Sequence, residues 1–208
     1  MIIAVDGPAA AGKGTIARAI ARHFGLHFLD TGRLYRMVGR AVLDQGGNPR
    51  DGEAAIAAAR GLDPSRYGDA DLRSEQVADA ASVVAVIPEV RTALLSFQRD
   101  FARKPPGAVL DGRDIGTIVC PDANVKIFVT ASPEVRARRR ARELAETGIA
   151  ADYLSVLADI RARDERDSKR LAAPLIPARD AHVLDTSQMD IDQAVMSAIA
   201  VVEAKRRN

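Results

Sequence analysis

Nine residues near the start of the chain have the types and spacing needed to bind phosphate. They are Gly7, Pro8, Ala9, Ala10, Ala11, Gly12, Lys13, Gly14 and Thr15, which fit G-x-x-x-x-G-K between an apolar run and a segment of helical periodicity. Small residues let backbone N–H groups surround phosphate oxygens, and the helix that follows offers its positive end. Lys13 adds a cation for the β- and γ-phosphates of a nucleoside triphosphate. We therefore predict a phosphate-binding loop, or P-loop, at residues 7–15.

The metal expected at such a loop is Mg²⁺. Many loops of this kind carry a Ser or Thr directly after the lysine, but here Gly14 follows and the hydroxyl comes one residue later, at Thr15. We therefore expect water-mediated coordination of Mg²⁺ and assign no protein side chain as a metal ligand. The three histidines show no metal-ligand spacing, and with Cys120 as the only cysteine a zinc site is not expected.

Two further polar segments follow apolar runs. Residues 30–36, Asp-Thr-Gly-Arg-Leu-Tyr-Arg, come after the second run, and residues 111–114, Asp-Gly-Arg-Asp, come after the third. We expect Thr31, Tyr35 and Arg36 to point into the same cleft as the phosphate loop. For Asp111 two interpretations stay open, a simple turn at the end of a strand or a position close to Mg²⁺.

The elements that must position these residues form an α/β pattern. Five short apolar runs, at residues 2–5, 27–29, 108–111, 125–130 and 182–184, alternate with helical segments. This order predicts a P-loop NTPase core with a five-stranded parallel sheet flanked by helices. Residues 54–104 are predicted to be helical with a break near 63–65, and residues 152–171 are predicted to form a long polar helix.

Composition limits the class of protein. The chain has 208 residues, 47% of them hydrophobic, which suits one domain. A net charge of +2 and only 4% aromatic residues give no reason to expect a nucleic-acid partner. There is no apolar stretch of about 18 residues and no leader pattern, so we expect no membrane partner. The single cysteine favours a cytoplasmic location, and we expect a monomer.

Five segments in order resemble one known family. GPAAAGKGT, LDTGRLYR, DGRDIGT, PDANVKIF and RDERDSKR, the last leading into APLIPA, are similar to the successive signatures of bacterial cytidylate kinases. The resemblance spans nearly the whole chain. It implies a P-loop nucleoside monophosphate kinase that uses ATP and Mg²⁺ to phosphorylate CMP and dCMP. Its partners would be small-molecule nucleotides.

The resemblance also implies roles for individual residues. Catalysis would depend on Lys13, Arg113, Arg139, Arg163 and Arg170, with Arg139 acting as a lid arginine beside ATP. The acceptor phosphate would be bound by Arg36, Arg113 and Arg91, and the cytosine by Thr31, Ser82, Arg91 and Asp114. The acceptor ribose and the transferring phosphates would be reached by Arg163, Asp167 and Arg170, which we expect to share one helix face. Tyr35 would also contact the acceptor.

Within the arginine run at 136–142, only Arg139 has a role implied by the resemblance. For Arg136, Arg138, Arg140 and Arg142, phosphate binding and ordinary surface charge remain open. The turn Glu146-Thr147-Gly148-Ile149 would form the tip of a short lid.

The resemblance implies one kinase domain over residues 1–208. Its core would comprise about 1–45, 105–135 and 175–208, and the lid and arginine helices about 136–174. The acceptor-binding segment, at about 46–104, should be small and helical, because residues 62–72 form only a brief link.

Two alternatives to CMP phosphorylation remain at this point. One is a P-loop kinase for UMP, AMP or a shikimate-like acceptor. The other is a GTPase-like switch, which would carry a guanine-reading N-K-x-D. The segment Asn124-Val125-Lys126-Ile127 lacks that order and the aspartate.

Overall fold

A computed structural model describes residues 1–146, 148 and 150–207. It divides the chain into two compact units. The first unit combines Met1–Leu29 with the chain from Ala102 onward, and the second is Asp30–Phe101.

The first unit is built on a five-stranded sheet. Its strands are β1 (Ile2–Asp6), β2 (His27–Asp30), β3 (Ala108–Gly112), β4 (Val125–Thr130) and β5 (His182–Asp185), in the order β2-β3-β1-β4-β5. The pairs β1–β3, β1–β4 and β4–β5 are parallel, with Val5 opposite Asp111. Polar residues that follow these strands therefore collect at one edge of the sheet. All five predicted strands are confirmed.

Four helices flank this sheet, and they are α1 (Lys13–Phe24), α6 (Pro133–Glu146), α7 (Tyr153–Lys169) and α8 (Ile191–Arg207). Apolar side chains of α1 and α8 pack against β1 and β4 in one core, which includes Ile3, Ile16, Ile20, Ile127 and Ala198. A second, smaller cluster joins α6 to α7 through Ala137, Leu144, Val156 and Ile160. β1 and β3 are buried along nearly their whole length, which explains why continuous apolar runs, rather than alternation, predicted them.

The second unit is helical, as predicted. Its helices are α2 (Thr31–Asp44), α3 (Gly52–Arg60), α4 (Glu75–Val84) and α5 (Pro88–Ala102), with a short 3₁₀ turn at Ala70–Leu72. The break predicted near 63–65 lies in the link between α3 and α4. A Cβ on Gly39 would lie 2.9 Å from the Cβ of Ala80, so α2 and α4 approach closely because this position has no side chain.

The link from Asp63 to Arg73 is held along α2 by polar contacts. Arg33 donates to the carbonyl of Tyr67 at 2.7 Å and pairs with Asp69. The Tyr67 hydroxyl donates to Asp44 at 2.9 Å, at the other end of α2. Arg40, between these two positions, donates to the carbonyl of Asp71 at 3.4 Å, so the brief link predicted from sequence is anchored at three positions on one helix.

The described residues were considered for helices that could span a membrane. None of their helices is on its own both long and apolar enough to cross a bilayer. Only α4 and α5 taken together reach that length and hydropathy, and they are bent by 99° at their junction.

Candidate active site

The phosphate loop between β1 and α1 depends on glycine for its shape. Gly7 has a φ of 146°, and a Cβ there would lie 1.9 Å from the carbonyl oxygen of Val129. Gly12 has a φ of 86°, and even Ala10 has a positive φ of 57°. These left-handed positions fold the backbone back on itself, which is the curvature that a ring of N–H groups around a phosphate requires.

The positive end of α1 and the side chain of Lys13 lie at this loop. Gly12 precedes the helix, and within the described residues no side chain caps the helix N-terminus. Lys13 is buried, and its Nζ lies 3.4 Å from both the carbonyl of Pro8 and Oδ1 of Asp111. Backbone dipoles and one ammonium group therefore converge where an anion would bind.

Oxygen ligands suited to Mg²⁺ lie beside the loop. A Cβ on Gly14 would lie 3.3 Å from Oδ2 of Asp111, so the glycine leaves space next to this carboxylate. The Thr15 side chain is exposed at the start of α1. Among the described residues, no three His, Cys, Asp or Glu side chains form a ready-made metal cluster. The Asp111 carboxylate suits Mg²⁺, which retains several waters and needs few protein ligands.

Asp6, at the end of β1, holds the segment that follows β3. Its two carboxylate oxygens accept N–H bonds from Ile115 and Gly116, each at 2.8 Å. Burial, with the nearby carboxylates of Asp114 and Asp111, raises the pKa of Asp6 to about 7 despite these two hydrogen bonds. The contacts fix the start of a π-helical turn, Ile115–Val119, directly after Arg113 and Asp114.

Three predicted arginines surround Asp167 on α7. Arg113 donates through Nε to Oδ2 of Asp167 at 3.2 Å, and Nη2 of Arg170 lies 3.9 Å from Oδ1. Burial of Asp167 raises its pKa, but the charges of Arg113, Arg170 and Arg163 outweigh it, so the pKa lies below the ordinary value. The structure therefore brings these four predicted residues together.

The expectation that all three α7 residues share a helix face needs one correction. The helix ends at Lys169, and Arg170 has extended backbone angles just beyond it. Arg170 still reaches Asp167, since its Nε also donates to the Asp167 carbonyl at 3.3 Å. The contact arises at the helix end rather than along a helix face.

Arg139, predicted to lie beside ATP, is anchored near the phosphate loop. Its guanidinium donates to the hydroxyl of Thr186 at 3.0 Å and to the Thr186 carbonyl at 2.8 Å. It also donates to the carbonyl of Ala11 at 3.4 Å, and the Thr186 hydroxyl donates to the same carbonyl at 3.3 Å. Thr186, which follows β5, was not predicted from sequence.

In the Asp30–Phe101 unit, α2 begins with the predicted acceptor residues. Asp30 caps the helix by accepting from the N–H of Arg33 at 3.2 Å. The same side chain lies 3.4 Å from Nη1 of Arg36, whereas Thr31 is buried in the first turn. Asp30 therefore both starts the helix and orients the guanidinium of Arg36.

The other predicted residues of this unit come from α2, α4 and α5. Arg91 lies 5.5 Å from the ring centroid of Tyr35 and donates to the carbonyl of Ala85 at 3.2 Å. Ser82 is buried on α4, and its hydroxyl has no hydrogen-bond partner among the described residues. A buried hydroxyl without a partner costs free energy.

The whole chain was compared with known protein families. The family model for cytidylate kinase matches residues 3–204. The chain belongs to the cytidylate kinase family.

Relatives within the cytidylate kinase family are similar in sequence to this chain over nearly its full length. The chain is 58% identical to a cytidylate kinase of Afipia carboxidovorans, over 99% of each chain. It is 61% identical to a cytidylate kinase of Methylocella silvestris, over 98% of this chain and 94% of that one.

Solved structures share the fold. A shikimate kinase from Bacteroides thetaiotaomicron has a TM-score of 0.50 at 16% identity, covering 100% of this chain and 99% of that one. An uncharacterized protein from Eubacterium ventriosum has a TM-score of 0.59 at 12% identity, covering 100% of this chain and 99% of that one.

The arginine run of this cytidylate kinase family member divides into different environments. Arg138 and Arg142 are exposed, and Arg140 pairs with Glu143 at 3.1 Å, as surface charges do. Arg136, by contrast, is only 3% exposed and is not a surface charge. Within the predicted lid tip, Thr147 and Ile149 lie outside the described residues.

Proposed function

We propose that the chain transfers the γ-phosphoryl group of ATP to CMP, giving ADP and CDP, and that it also accepts dCMP. The observation that carries this proposal is the phosphate loop around buried Lys13, in a chain that matches the cytidylate kinase family over residues 3–204. Relatives 58% and 61% identical over nearly their whole length are named cytidylate kinases, which supports CMP as the acceptor.

The donor would bind at residues 7–15. In this proposal the loop N–H groups and the start of α1 bind the β- and γ-phosphates, and Lys13 neutralises charge on them. Arg139 would add a second cation, and its contacts with Thr186 and Ala11 support this role because they orient the guanidinium beside the loop. Both cations would be fixed before the reaction begins.

The acceptor roles are assigned unit by unit. In the Asp30–Phe101 unit, Arg36 and Arg91 would bind the CMP phosphate, while Thr31, Tyr35 and Ser82 would contact the nucleoside. In the first unit, Arg113 would bind the acceptor phosphate and Asp114 the cytosine. Arg163, Asp167 and Arg170 would reach the ribose and the transferring phosphates. The low pKa of Asp167 supports a role as a charged acceptor of ribose hydroxyl hydrogen bonds, and guanidinium groups bind phosphate oxygens in pairs.

Phosphoryl transfer needs no general base in this proposal, because the acceptor is already a phosphate anion. An oxygen of the CMP phosphate attacks the γ-phosphorus, and the bond from that phosphorus to the β–γ bridging oxygen breaks as ADP leaves. Lys13 and the arginines would lower the barrier by alignment and by neutralising charge on the transferring group.

Mg²⁺ is proposed as the accompanying ion. Asp111 is the residue that would hold it, with water between the carboxylate and the ion. Bound Mg²⁺ would contribute positive charge to the phosphate oxygens.

We also propose that the enzyme acts as a cytoplasmic monomer. The single cysteine, Cys120, is buried and allows no disulfide within the chain, which suits a reducing compartment. Size-exclusion chromatography with light scattering would test the monomer directly.

A coupled assay of ADP production tests the acceptor. CMP, dCMP, UMP, AMP and shikimate would be compared at equal concentrations with ATP and Mg²⁺. We expect CMP and dCMP to give the highest kcat/KM. AMP or shikimate turned over as fast as CMP would overturn the cytosine assignment, and ATP consumption without any acceptor would point to a nucleotide hydrolase.

A further inference from the structure

Arg136 is buried in the first unit and donates through all three of its guanidinium nitrogens. This α6 side chain is 3% exposed, and its Nε donates to the carbonyl of Ala131 at 2.9 Å. Its Nη1 donates to the carbonyl of Ala9 at 3.2 Å and to Oδ1 of Asp164 at 3.0 Å. Its Nη2 donates to the other oxygen of Asp164, so the ion pair is bidentate. One guanidinium therefore joins the end of β4, the phosphate loop and α7.

Two of the three partners of this guanidinium belong to different parts of the proposed machinery. Ala9 lies in the middle of the phosphate loop, two residues after Gly7. Asp164 lies on α7 directly after Arg163 and one turn before Asp167. The position of Asp164 relative to Ala9 thus sets the position of Arg163 and Asp167 relative to the phosphate loop, because α7 is a continuous helix over these residues.

The chemistry of arginine suits this bridge. Its planar fork can donate to a carboxylate with two N–H groups while a third reaches a carbonyl, which the single ammonium of lysine cannot reproduce. The same pair lines a cavity of about 540 Å³ whose wall includes Pro8 and Ser132. The bridge therefore lies at the phosphate loop and not on a remote surface.

We propose that the Arg136–Asp164 pair is a positioning element that fixes α7 to the phosphate loop and so aligns Arg163, Asp167 and Arg170 with the phosphates. This inference rests on the proposed kinase function and adds residues to it. Arg136 and Asp164 touch neither substrate in this proposal. They act through the loop carbonyl and through the charged residues of α7.

A second ion pair between the same two helices provides a matched control. Arg161 on α7 lies 2.8 Å from Glu134 on α6, but these side chains are 60% and 41% exposed. Glu134→Gln therefore weakens an ion pair between α6 and α7 without changing any contact of the phosphate loop. Exposed pairs of this kind contribute little to stability.

The test compares Asp164→Asn and Arg136→Lys with Glu134→Gln and wild type. We expect the first two variants to lower kcat with CMP on the order of 100-fold, because a displacement of about 1 Å at reacting groups has effects of this size. For Asp164→Asn, which keeps the Arg136 bond to the Ala9 carbonyl, the dissociation constant for ATP measured by calorimetry should change by less than about threefold. Glu134→Gln should keep kcat within about twofold of wild type.

A double-mutant cycle separates positioning from general stability. Arg163→Ala should lower kcat strongly in the wild-type background and only a few-fold in the Asp164→Asn background, because a misplaced Arg163 has little left to contribute. A merely structural role for the pair predicts additive losses. Additive losses, or kcat within about threefold of wild type for folded Asp164→Asn, would overturn the inference.

If Asp164→Asn does not fold, Arg136→Lys carries the same expectation for kcat because it retains the buried cation. If neither variant folds, the pair is required for folding and the positioning inference fails. A wild-type protein that does not phosphorylate CMP would refute the proposed function. An active wild type whose variants are equally active would refute only the positioning inference.

Discussion

The ammonium group of Lys13 lies 3.4 Å from Oδ1 of Asp111, and these side chains are only 8% and 9% exposed. Lys13 starts α1 and Asp111 lies near the end of β3, one strand away from β1, so the contact depends on the sheet order. An ion pair this well buried is oriented before any ligand binds. The lysine of the phosphate loop is therefore held in place by a carboxylate from the neighbouring strand.

The first prediction concerns Lys13. Lys13→Ala should lower kcat for CMP phosphorylation by about 10²-fold or more, because it removes a fixed cation from the transferring phosphates. The far-ultraviolet circular dichroism spectrum should remain that of the wild type. Lys205→Ala, which removes an exposed lysine on α8, should leave kcat unchanged. Near-normal turnover by folded Lys13→Ala would contradict the assignment of residues 7–15.

The second prediction concerns the shape of the phosphate loop. Gly7→Ala should destabilise the protein by about 3 kcal/mol or more, because the new Cβ would collide with the Val129 carbonyl at a left-handed φ. Gly52→Ala is the control, since nothing lies within 4 Å of a Cβ at that position. Urea denaturation of both variants measures the difference. Equal stabilities would show that the loop has another conformation.

The third prediction concerns Ser82 and separates stability from binding. Ser82→Ala removes a buried hydroxyl that lacks a hydrogen-bond partner among the described residues, so stability should stay level or rise by up to about 1 kcal/mol. The KM for CMP should rise about tenfold, because the proposed contact with the nucleoside is lost.

Ser74→Ala is the control, because it should lower stability and leave the KM for CMP unchanged. Ser74 caps α4 by accepting from the N–H of Val77 at 3.3 Å, so its loss should cost about 1 kcal/mol of stability. Its KM for CMP should be unchanged. A KM unaffected by Ser82→Ala would remove Ser82 from the acceptor site.

The fourth prediction concerns pH. The pKa of Asp6 is raised to about 7, whereas an unfolded aspartate ionises near 3.8. Between these values the native state binds a proton that the unfolded chain has released. The free energy of unfolding should therefore fall as the pH rises from about 4 to about 7, by a total on the order of 4 kcal/mol.

Asp6→Asn isolates this contribution. Asparagine does not titrate. As the pH rises through this window, the free energy of unfolding of the wild type should therefore fall relative to that of Asp6→Asn. Denaturant titrations of both proteins at pH 4.5, 6 and 7.5 measure the shift. Parallel stability curves would show that Asp6 is ionised throughout.

Much of the fold was predictable because its signals are local. The apolar runs at 2–5, 108–111 and 125–130 became buried strands, and glycines with the lysine at residues 7–15 predicted the phosphate loop. Arg36 and Arg113 lie in the polar segments that follow β2 and β3, and the sequence alone places these segments after apolar runs. Residues 54–104 formed helices, but the break is longer than predicted, since the described chain between Arg60 and Glu75 contains only one 3₁₀ turn.

The missed features depend on partners far away in the chain. Arg136 was indistinguishable from Arg138 because its burial arises from Ala9 and Asp164, which are 127 and 28 residues away. Asp6 meets Ile115 and Gly116 only through the pairing of β1 with β3. Neither the spacing nor the composition of a local segment contains this information. The prediction for Arg170 was wrong in one detail. The helix α7 ends at Lys169, so Arg170 lies just beyond the helix and not on its face.

Two of the contacts between α2 and the link from α3 to α4 involve Tyr67, one with Arg33 near the helix start and one with Asp44 at its end. Tyr67 is the common partner, through its carbonyl at one point and its hydroxyl at the other. Tyr35 and Arg36 lie on the helix between these attachments. Insertions or deletions within 63–66 change the chain before Tyr67 and leave both contacts of Tyr67 in place. Replacing Tyr67 with phenylalanine removes only the hydrogen bond to Asp44. Length variation should therefore be tolerated on the N-terminal side of this tyrosine.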